Sequence, residues 1–181
     1  MRWKIPTLII IILAAIAVVA WFEWPALRGQ DTSVATGGLP PDHELADAVG
    51  GPFNLVDQDD KPVNEKSWPG KYLLVFFGFT YCPDVCPTTL AQLAGVMKDL
   101  GPTADRIQPL FVSVDPGRDN PAALKSYTST FDPRIIGLTG SQAAIDAMLK
   151  TYRVYAARRG EGEDYTMDHS SLIYLMGRTA A

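Results

Sequence analysis

Two cysteines, Cys82 and Cys86, are separated by three residues in Tyr81-Cys82-Pro83-Asp84-Val85-Cys86-Pro87-Thr88, and the chain has no others. Two sulfurs so placed can bind a soft metal ion, exchange thiol for disulfide, or close a structural disulfide across a tight loop. The local backbone separates these chemistries. Residues 72–77 are apolar, β-prone and short, which reads as a buried strand. Leu90, Leu93, Met97 and Leu100 recur at helical spacing. Pro87 suits the first helical position, because its missing N–H would find no partner there. Both sulfurs therefore fall on a strand-to-helix turn with Cys86 at the helix N-terminus, where unpaired N–H groups favour negative charge. A cysteine there is expected to lose its proton readily, and the thiolate is the form that binds metal or attacks disulfides. A structural clip accounts for neither that position nor the lack of a longer loop to close.

The elements that must hold this turn follow from the rest of the pattern. Phe53, Leu55 and Val63 flank Asp57-Gln58-Asp59-Asp60, which predicts a hairpin. Residues 107–114 read as a second buried strand, ended by Asp115-Pro116-Gly117-Arg118. Asp119 or Asn120 can cap a helix opening at Pro121, with Leu124, Tyr127 and Phe131 on one face. Residues 135–138 give a short strand, and Ser141 caps a third helix bearing Ile145, Met148, Leu149 and Tyr152. Residues 154–155, 165–167 and 172–176 are strand-like. Strands alternating with helices predict an α/β fold with strands 72–77 and 107–114 parallel. Functional groups then gather beyond the carboxyl ends of those strands, where Cys82, Cys86 and Asp115 lie. His169 precedes strand 171–176, so it reaches the same rim only if that strand runs antiparallel to the other two.

Before this domain, Ile5 to Phe22 carries no charge and follows Arg2 and Lys4. As a helix this run would span roughly 27 Å, close to a bilayer core of about 30 Å. It reads as an anchor over residues 1–24 (or an uncleaved signal), with a cleavable signal peptide as the competitor, for whose core the apolar run is long. The positive flank belongs inside, so the expectation is a single-pass inner-membrane protein whose folded part faces the periplasm. Residues 25–51, rich in Gly and Pro, read as a flexible linker, and His43 within it as a solvated side chain. A net charge of −4 and a pI near 5.1 argue against nucleic acid as a partner. Neither a glycine-rich phosphate loop nor a Ser-His-Asp arrangement stands out.

The segment Phe77-Gly78-Phe79-Thr80-Tyr81-Cys82-Pro83-Asp84-Val85-Cys86-Pro87-Thr88-Thr89-Leu90 resembles the SCO/SenC family. So do Val112-Ser113-Val114-Asp115-Pro116 with Arg118-Asp119, then Ile136-Gly137-Leu138-Thr139-Gly140, then Asp168-His169-Ser170-Ser171, in order and spacing. The family comprises membrane-anchored copper proteins that assist cytochrome c oxidase assembly. The resemblance implies a thioredoxin-like three-layer fold with a mixed sheet over residues 52–181. It implies copper ligands Cys82, Cys86 and His169, and delivery to the CuA site of the oxidase's copper-bearing subunit. A copper donor and a thiol reductant would be further partners. Soft thiolates select Cu(I), and imidazole suits either copper oxidation state. Zinc would also accept two cysteines and a histidine, although nothing nearby resembles a base placed for hydrolysis. Asp115 and Asp168 are candidates to orient the ligands from behind. The alternative is a thiol–disulfide oxidoreductase using the same cysteines as its catalytic pair. A peroxidase reading, from the faint likeness of Cys86-Pro87-Thr88-Thr89 to the peroxiredoxin active-site turn, fails on Pro83, which stands where peroxiredoxins place Thr or Ser. The chain stops soon after residue 176, where family members continue through another strand and a closing helix. A domain truncated at its C-terminus, with one uncovered sheet edge, is therefore expected.

Overall fold

The computed structural model describes residues 49–162 and 164–177, all within the compact unit Ala46–Ala181. The expected anchor, the linker up to residue 48 and His43 lie outside the described residues. Among the described residues no helix is long and apolar enough to cross a membrane.

The expected hairpin forms from β1 (Asn54–Asp57) and β2 (Pro62–Asn64), with Leu55 opposite Val63. The strand leading to the cysteines is β3 (Tyr72–Gly78), and α1 (Val85–Asp99) follows it. Helix α1 starts two residues earlier than its proline suggested. Pro87 is its third residue, still inside the first turn, where N–H groups have no helical partner to lose. A 3₁₀ turn (Gly101–Arg106) leads into β4 (Ile107–Ser113). Next come α2 (Pro121–Ser129), β5 (Ile136–Thr139) and α3 (Gln142–Thr151). Asn120 caps α2 by accepting the Ala123 N–H, and Ser141 caps α3 by accepting that of Ala144. The chain then runs through β6 (Ala156–Arg159), β7 (Thr166–His169) and β8 (Ile173–Met176).

Six strands form one mixed sheet in the order β2-β1-β5-β4-β3-β8. Strands β3, β4 and β5 are parallel, while β1 and β8 run antiparallel to their neighbours. The register aligns Phe76 with Phe111 and Phe111 with Gly137, so these three share a face. A Cβ on Gly137 would lie 2.7 Å from Leu124 of α2, and one on Gly78 2.7 Å from the Cys86 Sγ of α1. Helices α1 and α2 therefore cover that face. Phe77 points the other way, against Tyr152 at the end of α3 (ring centroids 5.4 Å apart) and Tyr174 of β8. The result is three layers, helix–sheet–helix, around one continuous apolar core.

Among the described residues, strands β6 and β7 pair only with each other, Ala156 opposite His169. They lie slightly beyond the positions read from the sequence, and His169 is the last residue of β7 rather than a loop residue before β8. Strand β8 ends the sheet order, and its Ile173 and Leu175, on the same face as Phe76, are 45% and 63% exposed.

Candidate metal centre

The turn after β3 is fixed from behind. Val114 N–H donates to the Gly78 carbonyl (2.8 Å), and Cys82 N–H to that of Phe79 (3.2 Å). Asp119, fully buried, accepts the Thr80 N–H (3.1 Å), the Thr80 hydroxyl and the Ser113 hydroxyl (2.6 Å). One carboxylate thus ties the cysteine loop to the end of β4. Within the loop, Cys86 N–H donates to Cys82 Sγ at 3.4 Å, an orphan helix-start donor aimed at sulfur. Cys86 is fully buried and Cys82 partly exposed, and both are free thiols.

His169 arrives from the end of β7. Its Nδ1 lies 3.0 Å from the Ser170 carbonyl oxygen, which can only accept, so Nδ1 carries the proton. That leaves the Nε2 lone pair 3.5 Å from Cys86 Sγ. The ring sits edge-on to Phe79 (5.8 Å between centroids) and Phe76 (6.3 Å), which restricts its rotation. The ligand atoms of Cys82, Cys86 and His169 all lie within 4.8 Å of one another. Two sulfurs and one imidazole nitrogen gathered this closely suit a soft cation. A cavity of about 330 Å³ lined by Phe79, Cys82, Pro83, Tyr155 and His169 opens the centre to the outside.

The structure corrects one expectation about this centre. Burial pushes the Cys86 thiol far above its ordinary value, with Cys82 and Asp119 acting in the same direction. The helix start does not make this thiol acidic in the metal-free protein, because desolvation outweighs it. Asp115 and Asp168 do not meet the three ligating side chains through hydrogen bonds. Asp115 accepts from Arg118 Nε and the Tyr165 hydroxyl, both at 2.6 Å, and Asp168 pairs with Arg159. The group that orients the imidazole is the backbone carbonyl of Ser170. Sequence reasoning missed this carbonyl, and it offered Asp119 only as an alternative to Asn120 for a helix cap. A backbone acceptor leaves no side-chain signature, and the burial of Asp119 depends on strands distant in sequence.

A family model described as SCO1/SenC matches residues 41–181. The chain is 44% identical over 133 residues to the mitochondrial protein SCO2 of Saccharomyces cerevisiae, covering 71% of this chain and 44% of that protein. The chain thus spans less than half the length of that curated relative. Among solved structures, copper-bound ScoI of Bradyrhizobium japonicum is 52% identical with a TM-score of 0.69, covering 72% of this chain and 84% of that one. BsSco, a member of the Sco family of cytochrome c oxidase assembly proteins in which a disulfide switch has been identified, is 29% identical with a TM-score of 0.51. That match covers 59% of this chain and 65% of BsSco.

Proposed function

The chain belongs to the SCO1/SenC family, and on that premise we propose that it carries one copper ion, held by Cys82, Cys86 and His169, to the CuA site of cytochrome c oxidase during assembly. The observation that carries this reading is the approach of His169 Nε2 to within 3.5 Å of Cys86 Sγ, with Nδ1 tied to a carbonyl. A dithiol that served redox chemistry alone would not need an imidazole lone pair aimed at its buried sulfur.

Copper is the cargo, and the donors differ in access. Cys82 is the exposed sulfur and meets the incoming ion first. Cys86 must release a proton that burial otherwise holds on it, so loading is coupled to proton loss. His169 completes the set through Nε2. Three protein donors leave room for a partner's ligand to enter on the cavity side, which suits transfer. The copper-bearing subunit of the oxidase, a copper donor and a thiol reductant are the partners this chemistry requires. The uncharged run at residues 5–22 would hold the domain at the outer side of the inner membrane.

The second reading uses the same sulfurs as a thiol–disulfide oxidoreductase, and the Cys86 N–H on Cys82 Sγ favours it. Cys82 would attack a partner disulfide to give a mixed disulfide. Deprotonated Cys86 would then displace the partner as a dithiol and leave Cys82–Cys86 oxidised. The His169→Ala variant separates the two. Copper affinity, measured by competition with a chelator, should collapse while exchange with a small disulfide continues. Copper affinity unchanged by the substitution would contradict the ligand assignment.

A further inference from the structure

The hairpin that delivers His169 has no strand pairing with the main sheet. A lone two-stranded ribbon is marginal by itself, so something must fasten it. Strands β6 and β7 pack partly on the core through Ala156 and Met167. The polar fastening converges on one side chain outside the ligand set. Arg118 Nε donates to Asp115 Oδ2 (2.6 Å) and Nη1 to the backbone carbonyl of Tyr165 (2.9 Å). Its guanidinium carbon lies 3.6 Å from the Tyr165 ring centroid and 4.6 Å from that of Tyr81. The Tyr165 hydroxyl closes the circuit by donating to Asp115 Oδ1 (2.6 Å). The Arg118 side chain is only 18% exposed.

Tyr81 is the residue before Cys82, and Tyr165 lies on the arm that ends at His169, four residues on. Along extended chain that lever is about 13 Å. Resting on the copper reading above, we propose that Arg118 is a positioning residue for the metal centre: it clamps the His169 hairpin to the Cys82 loop and so sets the distance between imidazole and sulfurs. Planarity matters more than charge in this role. The guanidinium offers two separate donors in a rigid fork and a flat face for two tyrosine rings, and an ammonium offers neither. Asp115 gains a function here too, since it orients the clamp rather than a ligand.

The test compares the full chain with R118K and R118M. In the metal-free protein, nuclear Overhauser contacts between the His169 and Phe79 rings report the imidazole's place without copper. They should be present in the parent and lost in both variants. Copper affinity should fall by about 10-fold or more in both, the range seen when a partner behind a metal ligand is removed. Nitrogen hyperfine structure from the imidazole should vanish from the Cu(II) resonance spectrum, while thiol–disulfide exchange continues. Ring contacts that persist in both variants overturn the proposal. Full rescue by lysine also overturns it, in favour of a simple charge effect. If the parent binds no copper but the variants still lose the ring contacts, the clamp stands and the copper reading falls. Should R118M fail to fold, R118K, which keeps the charge and most of the bulk, decides alone.

Discussion

At Cys86 two effects oppose each other. The helix start favours a thiolate and desolvation favours a thiol; with the side chain fully buried, desolvation wins. The folded chain therefore keeps a proton on Cys86 that the unfolded chain releases once the pH passes about 8.5. Metal-free stability is whole below that pH and declines as the pH rises above it, by up to about 1.4 kcal/mol per unit for one group. Urea midpoints of the parent should fall between about pH 8.5 and 10 more steeply than those of Cys86→Ala. Equal slopes would show that the thiol is not held neutral by the fold. The pairing of Cys82 with Cys86 was legible from spacing alone. The suppressed acidity of Cys86 was not, because it arises from burial against the sheet, with Cys82 and Asp119 adding to it.

The turn between β3 and α1 depends on one missing side chain. A Cβ on Gly78 would stand 2.7 Å from Cys86 Sγ and 2.7 Å from the Phe111 ring, closer than real contacts allow. Gly78→Ala should destabilise the chain by about 1–3 kcal/mol through overpacking and displace the sulfur. Denaturant titration measures the first effect and a copper competition assay the second. Asp119→Ala should act on the same turn from the other side, leaving the partly buried Thr80 N–H and the buried Ser113 hydroxyl without their acceptor. A loss of about 1–3 kcal/mol is expected, read from the same denaturation curves. The elements themselves were legible, since apolar period, prolines and caps all agree on them. Their ends were less so. Pro87 marks the first turn of α1 rather than its first residue, and β7 runs on to include His169, because cross-strand pairing with Ala156 decides where it stops.

Across the whole molecule, the direction of β8 decides whether a centre exists. Antiparallel to β3, it returns the chain so that His169 enters beside the cysteine loop; a parallel β8 would place that residue at the opposite rim. The sequence could state this condition but not meet it, because pairing direction is settled by contacts between residues a hundred positions apart. The same strand leaves Ile173 and Leu175 exposed on one face at the edge of the sheet, an apolar pair that invites self-association. Leu175→Lys should reduce concentration-dependent light scattering without altering copper affinity, since the residue lies away from the ligands. On the proposed reading, two sulfurs and one distant imidazole close on a single copper ion. X-ray absorption on the anaerobically reduced full chain, loaded with one equivalent of Cu(I), tests it most directly. The account predicts one ion per chain with two sulfur neighbours and one nitrogen, the nitrogen disappearing in His169→Ala. An all-sulfur environment, or one unchanged by that substitution, would contradict it.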